Sequence, residues 1–120
     1  MHEIEFYKDR NGHQPVVEFM RELNNNNSKD ARIRLQKFRD YIKLLQIHGT
    51  FVGKPVVKHL DGPIWELRPL KDRVFFAGAY EGGFVLLHHF EKKSQKTPKR
   101  EIEQAKREYQ DYLERSKNNE

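Results

Sequence analysis

The sequence predicts one α+β domain spanning residues 1–120, with elements in the order β-α-α-β-β-β-α and an antiparallel meander sheet. Three observations lead to this fold class. The N-terminal segment alternates apolar and polar side chains, which is typical of a half-buried strand. A long segment after it repeats apolar residues at helical spacing. Two almost continuously apolar segments then flank the glycine turn "EGG", which is short enough for a hairpin.

The first half of the chain predicts one strand and two helices. Residues 2–7, "HEIEFY", form the alternating strand, and Pro15 suits the first turn of the short helix after it. The asparagine run at residues 24–27 predicts a loop between the helices. Residues 28–48 predict the longest helix, which Gly49 ends as a left-handed cap would. The apolar residues that share one face of this helix are Ala31, Leu35, Phe38, Ile42 and Leu45.

The second half predicts three strands and a final helix. The strand candidates are residues 63–70, 73–80 and 84–90. The stretch before them is rich in Gly and Pro and predicts a loop. The apolarity of the last two strands indicates that they are covered on both faces, and we expect the two early helices to pack on one of those faces. Thr97 and Pro98 predict the start of the final helix, with Thr97 as N-cap, and residues 115–120 are expected to fray.

Composition narrows the function classes. The chain carries 23 basic and 18 acidic residues, a formal net charge of +5, and its pI is about 9.5. That balance favours anionic partners such as nucleic acid, the ribosome or an acidic protein. The absence of cysteine excludes a disulfide scaffold and a thiolate metal site, and it fits a cytoplasmic protein. No apolar segment approaches the roughly 18 residues of a membrane span, and the first residues show no signal-peptide pattern, so we expect no membrane partner.

Cations are concentrated in "LLHHFEKKSQKTPKR", residues 86–100. Directly after the apolar part of the last strand, five cations occur within nine residues, with no acid among them. They are Lys92, Lys93, Lys96, Lys99 and Arg100. We expect them to contact RNA or the ribosome, and the alternative interpretation is a solvated surface.

Strand alternation predicts which side chains join these cations. Glu66 and Arg68 share one face of their strand, although an ordinary surface ion pair is the alternative for them. Arg73 opens the next strand ahead of a run of apolar residues, where a purely structural role for its charge is hard to find. His89 shares parity with Lys93 if the last strand continues. We therefore expect these five residues to form a phosphate-binding patch on an uncovered sheet face.

Such a patch fits RNA cleavage without a metal or another cofactor. The 2′-hydroxyl attacks the adjacent phosphate, which requires a base, cations around the phosphorane and an acid for the 5′ oxygen. His89 is available for proton transfer, as is a lysine whose pKa neighbouring cations depress. Glu66 either acts as a base or orients Arg68. A metal is not expected, because no H-E-x-x-H spacing exists and the adjacent His88 and His89 face opposite sides of a strand, His88 being more typical of a core position.

Residues 64–109, which begin "IWELRPLKDRVFF", resemble the HigB-like, phage-derived branch of the RelE/ParE toxin superfamily. The shared pattern is an aromatic-Glu-Leu-Arg strand, an arginine that opens the next strand, and the strand-to-helix run "LLHHFEKKSQKTPKREI". The resemblance implies a toxin of a type II toxin–antitoxin pair with a small microbial-ribonuclease-like (RelE-like) fold. It also implies cleavage of mRNA in the ribosomal A site, with Arg68, Arg73 and Lys93 as site residues and Lys92 beside them.

The resemblance also implies partners and a location. The expected partner is a HigA-like antitoxin of helix-turn-helix type that represses the shared operon, so that the complex binds operator DNA in the bacterial cytoplasm. Two alternatives remain open: a ParE-like inhibitor of DNA gyrase, which is not an enzyme, and a non-catalytic nucleic-acid-binding module. The dense cations favour the nuclease, because a passive binder more often interleaves exposed aromatic side chains with its cations.

Overall fold

Alternation and helical periodicity place most elements of the chain where the sequence predicts them. The structure, a computed structural model, describes residues 1–119, and within them it contains three α-helices and a five-stranded mixed sheet. The elements are β1 (Ile4–Phe6), α1 (Pro15–Asn24), α2 (Lys29–His48), a 3₁₀ turn (Gly49–Val52), β2 (Val57–Asp61), β3 (Ile64–Leu67), β4 (Asp72–Gly78), β5 (Phe84–Glu91) and α3 (Lys99–Asn118). The α+β class is confirmed, and the arrangement is compatible with a small RelE-like fold.

The sheet has the strand order β1-β5-β4-β3-β2. Strands β2 to β5 form the antiparallel meander, and β1 lies parallel to β5 at the other edge. The sequence predicts a loop where β2 lies, and that prediction is wrong. In this edge strand Val57 is the buried residue and most others are exposed, so β2 lacks the apolar signal of β4 and β5.

Helices cover both faces of the sheet. On one face α1 and α2 pack as predicted, with Phe38 and Leu45 in the same core cluster as Phe76. On the other face α3 contributes Ala105 and Tyr112 to a second apolar cluster. The prediction that the central strands are covered on both faces is confirmed, and the expectation of an uncovered face for the cations is wrong.

An extra residue in β5 changes the side-chain alternation near the end of that strand. Phe76 pairs with Leu86 but Val74 pairs with His89, so two steps along β4 match three steps along β5. This is a β-bulge, which reverses the facing of the residues that follow it. His88 consequently faces α3, whereas His89 faces α1 and α2.

The helix ends follow the local sequence except at the start of α3. Ser28 caps α2, and its hydroxyl accepts a hydrogen bond from the backbone N–H of Ala31 at 3.0 Å. Gly49 ends α2 with a φ of +61°, a conformation that favours glycine. Helix α3 begins at Lys99, and Thr97 is not its N-cap, because the Thr97 hydroxyl donates to a buried carboxylate instead.

The end of α3 is tied to the start of the chain. Tyr7 donates a hydrogen bond from its hydroxyl to Asp111 at 2.7 Å, and Tyr112 donates one to Glu5 at 3.0 Å. The helix continues to Asn118, and residue 120 lies outside the described part of the chain, so the fraying expected for residues 115–120 stays a prediction. No helix in that described part is long and apolar enough to cross a membrane.

Candidate active site

A cleft lies where the ends of β3 and β5 meet the starts of β2 and β4, and the loop of residues 92–98 borders it. Its charged lining consists of five cations and one carboxylate. We name this set the cation cleft: Lys58, Glu66, Arg68, Arg73, Lys92 and Lys96. The structure thus brings Glu66, Arg68 and Arg73 together, as the sequence predicts.

Strand pairing brings these side chains to one face of the sheet. Lys58 on β2 pairs with Glu66 on β3, and Arg73 on β4 pairs with Phe90 on β5. Lys92 follows Phe90 by two residues, so both lie on the face of Arg73 after the β5 bulge. The cleft therefore depends on the register of four strands rather than on one continuous motif.

Glu66 lies at the centre of the cation cleft and is only 1% exposed. One of its carboxylate oxygens accepts a hydrogen bond from the Thr97 hydroxyl at 2.6 Å. The other oxygen lies 3.5 Å from Nε of Arg68 and 3.9 Å from Nε of Arg73. A buried carboxylate needs compensating charge, and Glu66 therefore fixes the position of both guanidinium groups and of the loop that carries Thr97.

Arg73 is buried and has a structural role, contrary to the expectation from the sequence. Its Nη1 donates hydrogen bonds to the backbone carbonyls of Leu70 and Asp72, each at 2.8 Å. Leu70 has a φ of +57°, an unfavourable conformation for a leucine, and the bond to its carbonyl stabilises this turn before β4. Burial lowers the pKa of Arg73, and the nearby carboxylate of Glu66 opposes that shift. The guanidinium therefore holds the β3–β4 connection and lines the cleft at the same time.

Arg68 is the less restrained of the two cleft arginines. Its backbone N–H donates to the carbonyl of Val56 at 2.9 Å, which anchors the start of the side chain. Its Nε is buried and has no hydrogen-bond partner in residues 1–119. An unsatisfied buried donor costs about 1–3 kcal/mol, and the nearest carboxylate oxygen, of Glu66, lies 3.5 Å away, so a ligand oxygen could bind this group only after the cleft opens.

The three lysines make the cleft electropositive. Lys58, Lys92 and Lys96 have no ion pair within residues 1–119. The enclosed volume is only about 10 Å³, which is close to the space that one water molecule requires. A phosphate group cannot enter the closed cleft, although it can reach the lysines at the mouth.

His89 does not lie in the cation cleft, and the expectation that it shares the face of the cations is wrong. Its ring stacks on Phe19 with centroids 3.6 Å apart, on the side of α1 and α2. Its Nε2 lies 2.8 Å from the fully buried carboxylate of Asp72, which also accepts two hydrogen bonds from Arg34. Burial alone would raise the pKa of Asp72, but the bonds from His89 and Arg34 hold it below its usual value. The bulge in β5 is the physical reason for the change of face.

The remaining predicted cations separate into other surfaces. Lys93 and Arg100 line a different concavity of about 350 Å³ beside Phe90 and Glu101. Lys99 is exposed on the first turn of α3 and lines neither concavity. The cation that enters the cleft from the end of β5 is thus Lys92 rather than Lys93. The bulge again accounts for the difference, because every side chain after it faces the side of the sheet opposite to the one that simple alternation predicts.

His88 is buried between two carboxylates of α3, which agrees with the expectation that this histidine occupies a core position. Its Nδ1 lies 2.6 Å from Glu108 and its Nε2 lies 3.0 Å from Glu101. Burial alone would lower the pKa of His88, but the bonds to Glu108 and Glu101 raise it. The contact docks α3 against β5. No group of three or more metal-ligating side chains occurs among residues 1–119.

Two residues that line the cleft were not predicted from the sequence as site residues. Lys58 lies on β2, in the stretch predicted as a loop, and Thr97 was expected to cap α3. The alternation in "VKHLD", where Val57 is followed by polar residues, is a weak signal that could have identified β2. No local signal distinguishes a threonine that caps a helix from one that binds a carboxylate on another strand.

Comparison with known proteins gives one result that covers most of the chain. The family model described as "Phage derived protein Gp49-like (DUF891)" matches residues 18–110. The matched segment includes β2 to β5 and every residue of the cation cleft. None of the curated proteins matches the chain.

Proposed function

Because the chain belongs to the Gp49-like family of phage-derived proteins, whose members are assigned as toxins of toxin–antitoxin systems, we propose that it is a toxin that cuts mRNA on the ribosome. Membership of that family implies an antitoxin partner. We further infer a HigB-like member of the RelE/ParE superfamily that acts in the bacterial cytoplasm. Its antitoxin would be of the HigA-like helix-turn-helix type, and the complex of the two would bind operator DNA.

The observation that carries this proposal is the surplus of positive charge around one buried carboxylate. The cation cleft holds five cations and a single acid, Glu66. Such a surplus is unfavourable unless an anion is bound, because like charges repel one another. A phosphodiester supplies that anion, and arginine provides the paired donors that match its oxygens.

The proposed reaction is attack of an RNA 2′-hydroxyl on the adjacent phosphorus. The bond from the 2′ oxygen to phosphorus forms, the bond to the 5′ oxygen breaks, and a 2′,3′-cyclic phosphate results. Negative charge builds on the phosphorane oxygens in the transition state. Once the loop of residues 92–98 has moved aside, the guanidinium groups of Arg68 and Arg73, which lie beside Glu66, stabilise that charge.

Roles for the other cleft residues follow from their exposure. Glu66 is buried and bonded to Thr97, so we assign it the positioning of the arginines rather than proton abstraction. Among the described residues, those that line the cleft include no histidine. Lys58 and Lys92 are the remaining proton carriers there: one of them, as the neutral amine, accepts the proton of the attacking 2′-hydroxyl, and the other, as the ammonium, protonates the leaving 5′ oxygen. Lys96 binds a neighbouring phosphate.

Access to the cleft requires movement of residues 92–98. The closed volume admits about one water molecule, and the hydroxyl of Thr97 fastens the loop to Glu66. We infer that the ribosome-bound mRNA displaces this loop and brings Lys92 and Lys96 onto its backbone. Such a step agrees with an enzyme that acts on the ribosome and leaves free RNA intact.

A non-catalytic nucleic-acid binder is the second candidate function. The observation that favours it is the lack of a histidine in the lining of the cleft within residues 1–119. Both candidates bind RNA in the same place, so they differ in whether the 2′-hydroxyl is consumed.

Cleavage of a defined mRNA by the purified chain, with and without ribosomes, tests the proposal. We expect cuts only with ribosomes, 2′,3′-cyclic phosphate ends, and protection when the nucleotide at the cut carries a 2′-deoxy sugar. Binding without cuts would support the passive module, and inhibition of DNA supercoiling without cuts would support a gyrase inhibitor. Lys117→Ala, which changes an exposed cation near the end of α3, is the matched control and should cleave as the wild type does.

A further inference from the structure

Another concavity lies between α1 and α2 beside β1, on the face of the sheet opposite the cation cleft. Its volume is about 340 Å³. We name it the α1–α2 groove: its floor is formed by Phe6, Val17 and Met20, and its rim by Arg21, Asn24 and Arg39. Strands β1 and β2 are opposite edges of the sheet, and Phe6 belongs to the apolar cluster on the face away from α3. The groove and the cation cleft therefore do not share a surface.

Helix α1 carries two further apolar side chains that the fold buries only in part, although one of them, Met20, also packs against the core cluster. Val16, Phe19 and Leu23 are buried and supply its contact with the core. Val17 and Met20 lie on a different side, three residues apart, and both remain partly exposed. Together with Phe6 they give the groove an apolar floor that one apolar side chain of a partner can cover.

Two unpaired arginines define what the groove can bind. The guanidinium groups of Arg21 and Arg39 make no ion pair or hydrogen bond within residues 1–119. Arg34, which lies on the same helix α2 as Arg39, contacts three carboxylates by contrast, those of Asp30, Asp72 and Glu91. Charges at the rim of an interface pair with opposite charges of the partner. The groove therefore fits a segment with apolar side chains flanked by carboxylates.

We propose that the α1–α2 groove is the docking site of the antitoxin. An apolar side chain of the antitoxin enters between Val17 and Met20, and acidic residues on either side of it bind Arg21 and Arg39. This inference rests on the proposed toxin function, because that function supplies the partner. It also means that the antitoxin is held on the face opposite the cation cleft, so binding of the antitoxin and chemistry in the cleft can be separated by mutation.

Site-specific photo-crosslinking locates the partner directly. The probe is the protein encoded by the gene next to that of this chain, co-expressed with it and purified as a complex. A photoreactive phenylalanine derivative in place of Val17 should crosslink to the neighbour's product. The same derivative in place of Lys117, which is exposed on the other face, should not.

Affinity measurements give the second readout. Arg21→Glu and Arg39→Glu should each weaken the complex at least about tenfold, since a rim attraction becomes a repulsion. Met20→Asp should weaken it further, because a carboxylate would replace the apolar contact and would compete with the partner's carboxylates for Arg21 and Arg39. Lys117→Glu is the charge-matched control and should bind within about twofold of wild type. All groove variants should still cut ribosome-bound mRNA, which shows that they fold.

The outcomes separate this inference from the proposed function. If the groove variants bind the antitoxin as tightly as wild type while the crosslink at Val17 fails, the docking site is elsewhere and the toxin function still stands. If wild type binds no neighbouring gene product and does not arrest growth, both proposals fail. If Met20→Asp instead converts a dimer of the chain into a monomer, the groove is a self-association surface and the inference is overturned.

Discussion

Two buried carboxylates lie on opposite faces of the sheet, and they differ in how completely their neighbours satisfy them. Asp72 is fully buried and its oxygens take part in hydrogen bonds with His89 at 2.8 Å and with Arg34 at 2.7 and 3.0 Å. Glu66 is equally buried, but it accepts one hydrogen bond, from Thr97, and its two arginines stay at 3.5 and 3.9 Å. The first arrangement is complete, and the second leaves donors for a ligand.

The charge balance of the two regions differs in the same direction. Around Asp72, Arg34 also contacts Glu91 at 3.4 Å, so acids and bases are matched. Around Glu66 there are five cations, and only one of them, Arg73, has a structural role. Nε of Arg68 lacks a hydrogen-bond partner within the described residues. A matched network stabilises the fold, whereas a positive surplus favours binding of an anion. Substitutions should therefore affect stability on one face and RNA cleavage on the other.

The largest expected effect is on stability and follows from Asp72→Ala. The substitution removes the shared hydrogen-bond partner of Arg34 and His89 and leaves Arg34 with only the longer contacts to Glu91 and Asp30, and breaking a buried pair costs about 3–5 kcal/mol. Urea unfolding followed by circular dichroism measures the change. The control is Asp40→Ala, an exposed position on α2 that does not contact Arg34, and it should change the free energy of unfolding by less than about 0.5 kcal/mol. A loss below about 1 kcal/mol for Asp72→Ala would show that the network is not structural.

Arg73→Ala should combine the two kinds of effect. Loss of the bonds to the carbonyls of Leu70 and Asp72 should lower the free energy of unfolding by about 2 kcal/mol. Loss of its charge at the phosphorane should slow cleavage of ribosome-bound mRNA by about 10²–10³-fold in the folded protein. Arg73→Lys keeps the charge and should recover part of the rate. An Ala variant that is as stable as wild type would remove the structural half of this assignment.

The sequence was sufficient for every helix and strand except β2, but not for the direction in which the side chains of the last strand point. The apolar spacing on α2 and the hairpin between β4 and β5 are local patterns, and the structure confirms them. The bulge in β5 has no such local signature, because it arises from pairing with β4 across the sheet. It moves His89 away from the cation cleft and brings Lys92 in. The face of Arg68 and Arg73 was predicted correctly, because Arg68 follows β3 and Arg73 lies in β4. The bulge in β5 does not change the alternation of side chains along those two strands.

Thr97→Val should have a smaller effect, and it tests whether Thr97 holds the loop of residues 92–98 against Glu66. Valine keeps the shape of threonine but cannot donate to Glu66, and a hydrogen bond to a charged group contributes about 1.5–3 kcal/mol. We expect a loss near the lower end of this range, together with a looser loop and a changed KM for ribosome-bound mRNA. Ser94→Ala, in the same exposed loop, is the control. Equal stability of Thr97→Val and wild type would mean that Thr97 does not fasten the loop.

The smallest expected effect is a pH dependence at His88. Its pKa is raised in the folded protein, so its contribution to stability is complete below the unfolded value of about 6.5 and is lost as pH rises through the folded value. The difference in free energy of unfolding between wild type and His88→Gln should therefore be larger at pH 6 than at pH 9. His13→Gln, at a side chain 65% exposed, is the control. A difference that is constant with pH, or that grows towards pH 9, would contradict an imidazolium between Glu101 and Glu108.

The rate at which Arg68→Ala cuts ribosome-bound mRNA tests the contrast between the two faces most directly. Arg68 has the unsatisfied Nε and little structural function, so the account predicts a rate about 10²–10³-fold below wild type, with a free energy of unfolding within about 1 kcal/mol of wild type. Arg34→Ala on the other face should show the reverse, a large loss of stability and a rate close to wild type in the folded fraction. A rate for Arg68→Ala within about threefold of wild type, which is under about 1 kcal/mol of transition-state stabilisation, would show that the cation cleft is not the active site.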